Sequence, residues 1–380
     1  MADATQDRPP ERRIDLNEAF MQARGLQGAG RLPEAQRIYE QILLRVPHHA
    51  ESMTLLASIC YQRGQDLQGQ AYLDRAIEVL GQALREMPNS QATQALLANL
   101  LLARGRQAEA EAICATLQPQ LNPTRAPPEP FVARRQQSLL AGLPPMLFNT
   151  LPKSASESIW NRLAEGLGMA QAHVSIGLFP DCCVLGPRAQ ALGQGGLIVK
   201  EHLPATPHNL AMLAQSGVRR VVFHVRDPRQ ATLSWAHFVR DDVSMRLMAP
   251  IWRRIVPHAE VLKRDLAAAI DWSIEHYLPL LLEVIEGWMA VEAAGSHGIE
   301  VLFMDFEAFR RDEAAYLDRF LAFYGIARDK WQAGRSDDAE IVHLRRGEVD
   351  EWRRVFTPAQ AAAAADRLPE AMVARFGWIR

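Results

Sequence analysis

The chain has 380 residues and is 48% hydrophobic, enough for two or three domains with real cores. Lys and Arg number 42 against 44 Asp and Glu, a formal net charge of −2, so bulk charge points neither to nucleic acid nor to an anionic membrane surface. Cys60, Cys114, Cys182 and Cys183 lack paired metal-ligand spacing, and adjacent Cys182 and Cys183 make a poor disulfide. A reduced, cytoplasmic compartment is therefore expected.

Residues 1–13 are polar, lack the apolar core of a signal peptide and read as a disordered lead-in. Residues 14–118 read as helical repeats. Gly30 and Gly64 lie 34 apart, each in a helix–turn–helix context, and a third such turn falls at Gly105, 41 further on. Amphipathic helices follow these turns, and the first two close at Pro47 and Pro88. Period and small residues resemble tetratricopeptide repeats, with a longer second helix in the second repeat. The alternative is a generic helical bundle. The resemblance implies a concave face for a protein partner and no chemistry of its own.

Residues 119–143 read as a linker, stiffened by Pro119, Pro123, Pro127, Pro128 and Pro130. From 144 to 380 strands and helices alternate. Strands are expected at Met146–Thr150, Gly196–Lys200, Arg220–Val225 and Ile299–Phe306. Helices are expected at Ser156–Gly166, Asn209–Ser216, Gln230–Val239 and Ala314–Tyr324, with a longer one over Ala267–Ala294 broken near Pro279. These units imply a parallel sheet with helices on both faces and a ligand site at the carboxyl ends of the strands. Segment Asp241–Asp265, with Met245, Met248 and Trp252, has no clean periodicity and reads either as a mobile flap or as a substrate loop. No apolar run is long enough to span a bilayer without charge interruption.

Two strand ends carry anion-binding chemistry. Phe148-Asn149-Thr150-Leu151-Pro152-Lys153-Ser154-Ala155-Ser156 runs from strand through loop into helix, presenting N–H groups and a cation. It lacks the glycines of a Walker loop, which disfavours a magnesium–nucleotide cradle. Arg226-Asp227-Pro228-Arg229 ends another strand; Asp227 suits an N-cap and Pro228 the first helical position, with Ser234 about two turns into the helix. Two such sites on one sheet suggest a ligand with two separated phosphate groups. Taken singly, Lys153 reads as a solvated helix-start lysine, Arg226 as an edge ion pair and His202 as a structural histidine.

Together these segments resemble sulfotransferases that use 3′-phosphoadenylyl sulfate. Leu151–Ser156 is similar to the family's 5′-phosphosulfate loop, and Arg226 to Ser234, eight residues apart, to its 3′-phosphate motif. Lys200-Glu201-His202-Leu203-Pro204 resembles the strand end carrying the catalytic histidine. Leu344-Arg345-Arg346-Gly347 resembles the segment that closes over the 3′-phosphate, and Phe303-Met304-Asp305-Phe306 the strand end before the last family helix. The likeness covers residues 144–375. It implies a P-loop-like α/β sulfotransferase fold behind the all-α repeats, with sulfuryl transfer from PAPS to a hydroxyl or amine. His202 is then the general base, Lys153 stabilises the leaving phosphate, and Lys200 sits beside the transferring group or the acceptor. Lys153, Ser154, Ala155 and Ser156 hold the phosphosulfate; Arg226, Ser234, Arg345, Arg346 and Gly347 hold the 3′-phosphate. The family's adenine-stacking aromatic is Ser158 here, so adenine falls to Phe303 or the C-terminal segment. Ala155 also replaces a customary glycine. No metal is implied. His224, inside a buried strand, and His237, on a helix face, read as structural. A P-loop kinase or an inactive scaffold are the competing readings, and the acceptor is open among saccharide, lipid, small molecule and peptide.

Overall fold

The structure is a computed structural model. It describes residues 15–62, 66–86, 88–117, 129–241, 254–257, 261, 264–332 and 348–378. Six helices come first: α1 (Leu16–Gly28), α2 (Leu32–Arg45), α3 (Ala50–Gln62), α4 (Asp66–Glu86), α5 (Gln91–Ala103) and α6 (Gln107–Thr116). Consecutive helices pack as antiparallel pairs around small buried residues such as Ala23, Ala35, Ala57, Ala76, Ala98 and Ala110. Gly30 (φ 75°) and Gly105 (φ 72°) turn the chain through left-handed backbone that a side chain would strain. Helix α4 runs 21 residues against 14 for α2, which takes up the wider spacing to Gly105. Gly64 lies outside the described residues.

Helix α7 (Glu129–Leu140) occupies half of the stretch expected as a linker. It packs on the sheet domain: a Cβ added to Gly196 would lie 2.8 Å from Leu139 Cγ. Then follow β1 (Met146–Thr150), α8 (Ser156–Leu167), β2 (Ala170–Ala172), β3 (Ser175–Ile176), β4 (Cys183–Val184), α9 (Gly186–Gly193), β5 (Leu197–Glu201), α10 (Pro207–Gln215), β6 (Arg220–Val225) and α11 (Pro228–Asp241). The chain continues through α12 (Leu266–His276), α13 (Leu278–Ala294), β7 (Glu300–Asp305), α14 (Phe306–Arg311), α15 (Glu313–Tyr324), α16 (Trp352–Val355), α17 (Pro358–Arg367) and α18 (Glu370–Phe376). The expected break near Pro279 falls at Tyr277, because proline at the start of α13 cannot donate into the preceding turn.

Five strands form one parallel sheet in the order β2-β5-β1-β6-β7. Alternate residues feed two cores. Leu147, Val199, Val221 and Phe223 face α10, α11 and α13, while Phe148, Ile198 and Val222 face α8 and α15. Strand β1 is central, and the chain leaves it first for the β2 edge and later returns to its other side at β6. The crevice at this switch point, above the carboxyl ends of β5, β1 and β6, is where open α/β sheets bind ligands.

The repeats sit directly on this domain. Cys183 and Leu185 belong to the apolar cluster of the last repeat, beside Leu97, Leu101 and Cys114. Gly177 N–H donates to Asn99 Oδ1 at 3.1 Å, and a Cβ on Gly186 would meet Ala115 O at 2.3 Å.

Candidate active site

Three strand ends converge. From β1, the buried Ser154 Oγ donates to Leu151 O (2.6 Å) and tightens the loop. Lys153 (φ 64°) and Ala155 (φ 62°) both take left-handed backbone. For residues with a Cβ this costs roughly 1–2 kcal/mol each, strain of the kind that collects at ligand loops. Ala155 is the N-cap of α8 and its side chain caps nothing. The Lys153 ammonium lies 4.0 Å from the ring centroid of Phe238 on α11. The loop carbonyls are held from β6: His224 Nε2–H donates to Ser154 O (2.9 Å) and Arg226 Nη1–H to Lys153 O (3.0 Å). His224 is closed on its other side by the Tyr316 hydroxyl (2.8 Å). Burial lowers its pKa to about 4, so the ring is neutral and its donor and acceptor roles are fixed.

From β5, Lys200 is buried and ion-pairs with Glu157 in the first turn of α8, with its ammonium 5.4 Å from the Trp160 ring. His202 follows, partly buried, with Nδ1 2.7 Å from Thr150 O and 3.0 Å from Thr150 Oγ1. A nitrogen that close to a carbonyl carries the hydrogen, so Nε2 keeps the lone pair. Burial first, and Lys200 second, hold His202 down at about 4, so it stays a neutral base at physiological pH. Between them, burial alone would raise the Glu201 carboxyl. The His173 ring 3.6 Å away, with bonds from Ser175 and the Val174 N–H, outweighs that and holds it below the usual range.

From β6, Asp227 caps α11 through Arg229 N–H (2.9 Å), as its position predicts, and also clasps the Arg229 guanidinium (2.7 Å). That pair is fully buried, with Arg229 stacked 4.1 Å from the Trp352 ring. Arg226 donates to Glu348 O (2.5 Å) as well as to Lys153 O, tying the C-terminal segment to the loop. Ser234 lies on α11, partly buried.

Lys153, Ser154, Ala155, Ser156, Lys200, His202 and Arg226 therefore gather at one corner of the sheet. Phe303 does not join them. It lies two residues short of the end of β7, packed against Phe223 (5.3 Å), Phe376 (5.6 Å) and the Arg375 guanidinium (4.6 Å). At 6% exposure it has no ring face left for a base, so the adenine role expected of it is withdrawn. Arg345, Arg346, Gly347, Met245, Met248 and Trp252 lie outside the described residues. His224 is buried in β6, as expected of a structural histidine. Sequence reasoning assigned no role to Asn149, Thr150, His173, Glu201, Arg229 or Tyr316; the signal for the first two was a pair of polar residues closing an otherwise apolar strand. Among the described residues no cluster of three or more His, Cys, Asp or Glu could hold a metal, and no helix is long and apolar enough to cross a membrane.

A tetratricopeptide-repeat family model matches residues 68–126. A mouse sulfotransferase solved in complex with PAP is similar in structure at 14% sequence identity, covering 63% of this chain and 88% of that chain, with a TM-score of 0.40. No curated protein matches the chain. At that TM-score the solved structure carries no weight for the site, which rests on its own geometry.

Proposed function

We propose that the chain is a sulfotransferase that moves a sulfuryl group from 3′-phosphoadenylyl sulfate to a hydroxyl or amine acceptor. The observation that carries this reading is the union, at the ends of three neighbouring strands, of a neutral His202 with its Nε2 lone pair kept, the Lys153 loop, and Arg226 bonded to that loop. In-line transfer asks the protein mainly for positioning and charge stabilisation. His202 Nε2 takes the acceptor proton as the acceptor oxygen or nitrogen bonds to sulfur. The sulfur–oxygen bond to the phosphate breaks, and Lys153 with the α8 N-terminus stabilises the negative charge left there. Arg226 and Ser234 serve the 3′-phosphate, with Arg345, Arg346 and Gly347 in the same role on motif grounds. Four buried cysteines outside any disulfide fit a reducing, cytoplasmic setting, and the repeats offer a surface for a protein partner.

The test is donor selectivity. PAP should raise the melting temperature clearly more than AMP, since only PAP carries a 3′-phosphate. Arg226→Ala should remove most of that difference, weakening PAP by about 2–3 kcal/mol as a charge-assisted contact is lost. Equal shifts from PAP and AMP in the unaltered protein would refute the reading, and a shift from ATP with magnesium alone would favour a kinase.

A further inference from the structure

The residues on both sides of His202 are held by side-chain hydrogen bonds. The backbone ladder between β1 and β5 ends at the pair Asn149–Glu201. One residue past His202, the ladder is resumed by a side chain. Asn149 Nδ2–H donates to Leu203 O (3.0 Å), and Leu203 N–H donates to Asn149 Oδ1 (2.7 Å). Both residues are fully buried, and Trp288 Nε1–H adds a second bond to Leu203 O (2.7 Å). The Asn149 amide thus replaces a missing rung with the same donor–acceptor pairing a strand would offer. On the other side of His202, Glu201 is fastened by Val174 N–H, Ser175 N–H and Ser175 Oγ.

We propose that Asn149 is a positioning residue for His202: by clamping Leu203 it turns the imidazole so that Nδ1–H meets Thr150 O and Nε2 is kept for the acceptor. The proposal deepens the sulfuryl-transfer reading and rests on it for what His202 does, though not for how the ring is held. Asn149 touches neither donor nor acceptor in this role. Its side-chain amide is buried within the sheet and bonds to the Leu203 backbone. The charged groups acting on His202 are Lys200 and Glu201 on β5 and Glu157 on α8, and none is changed by substituting Asn149.

The experiment follows the full chain bound to PAP, with 15N-labelled histidine and His202→Gln for assignment. In the unaltered protein His202 should show the Nδ1–H tautomer, the minor form of free imidazole, and the Leu203 amide should exchange slowly. Asn149→Leu keeps the volume and removes the clamp; Asn149→Ser is the smaller alternative if that variant does not fold. Either should return His202 to the common Nε2–H form. Turnover should fall on the order of 100-fold with PAP binding unchanged, and the acid limb of the rate should move from about 4 toward the ordinary 6.5 as the ring gains solvent. Trp288→Phe is the control: it removes the other bond to Leu203 O, and should lower stability while leaving the His202 tautomer alone. Rapid exchange at Leu203 in the unaltered protein, an unchanged tautomer in a folded Asn149 variant, or an equal change in Trp288→Phe would overturn the proposal. A changed tautomer without any change in turnover would leave the clamp standing and refute the role given to His202.

Discussion

Replacing His224 by Gln should flatten the acid dependence of stability by a calculable amount. His224 is buried on β6 between Ser154 O and the Tyr316 hydroxyl, and its pKa is lowered from 6.5 to about 4, chiefly by burial. The folded pKa lies below the unfolded one, so between pH 6.5 and 4 the unfolded chain binds more protons and stability falls as pH falls. From pH 7 to pH 5 one such group costs about 2 kcal/mol, rising to about 3 kcal/mol below pH 4. His202, lowered to about 4 as well, contributes a similar loss. Glu307 works the other way: burial raises it from 4.5 to about 7, so the folded state gains relative stability as pH falls through that window. The unaltered protein alone is therefore ambiguous. The difference between its curve and that of His224→Gln isolates the one ring, since Gln can still donate to Ser154 O without titrating. Urea denaturation at pH 7, 6 and 5 measures it. A constant difference across the three pH values would refute the assignment of His224 as a buried neutral ring.

Other outcomes follow from the same geometry. His202→Ala should cut turnover by roughly 10²–10⁴-fold and leave PAP affinity nearly intact, measured by labelled-donor kinetics beside calorimetry. Ala155→Gly should be neutral to slightly stabilising, by up to about 1 kcal/mol in thermal unfolding, because relief at φ 62° outweighs the added freedom of the unfolded chain. Deleting residues 1–117 should give an aggregating fragment, seen by light scattering, since it uncovers Cys183 and Leu185 and strips Asn99 from Gly177. A soluble, PAP-binding fragment would show instead that the sheet domain folds alone.

The sequence by itself determined the periodic and local features. The apolar runs Met146–Phe148 and Val221–Phe223 sit in strands with the expected bounds, Met146–Thr150 and Arg220–Val225, because a strand buried on both faces is apolar over most of its length. The Asp227-Pro228 start of α11 is equally local. The short β2, β3 and β4 carry too few residues for any period to register, and α7 was hidden by the prolines at its start, which suit a first helical turn as well as a linker. Phe303 shows where motif reasoning stops: its place near a strand end was legible, but the face it points to was decided by register with β6 and by α18, which puts Phe376 against it. The joint between repeats and sheet was likewise invisible, since Asn99 and Gly177 meet only after both domains are built. The same is true of the clamp beside His202. A polar Asn149 in an apolar strand marked an exception in the sequence, and only the pairing of β1 with β5 supplied the backbone groups that satisfy it.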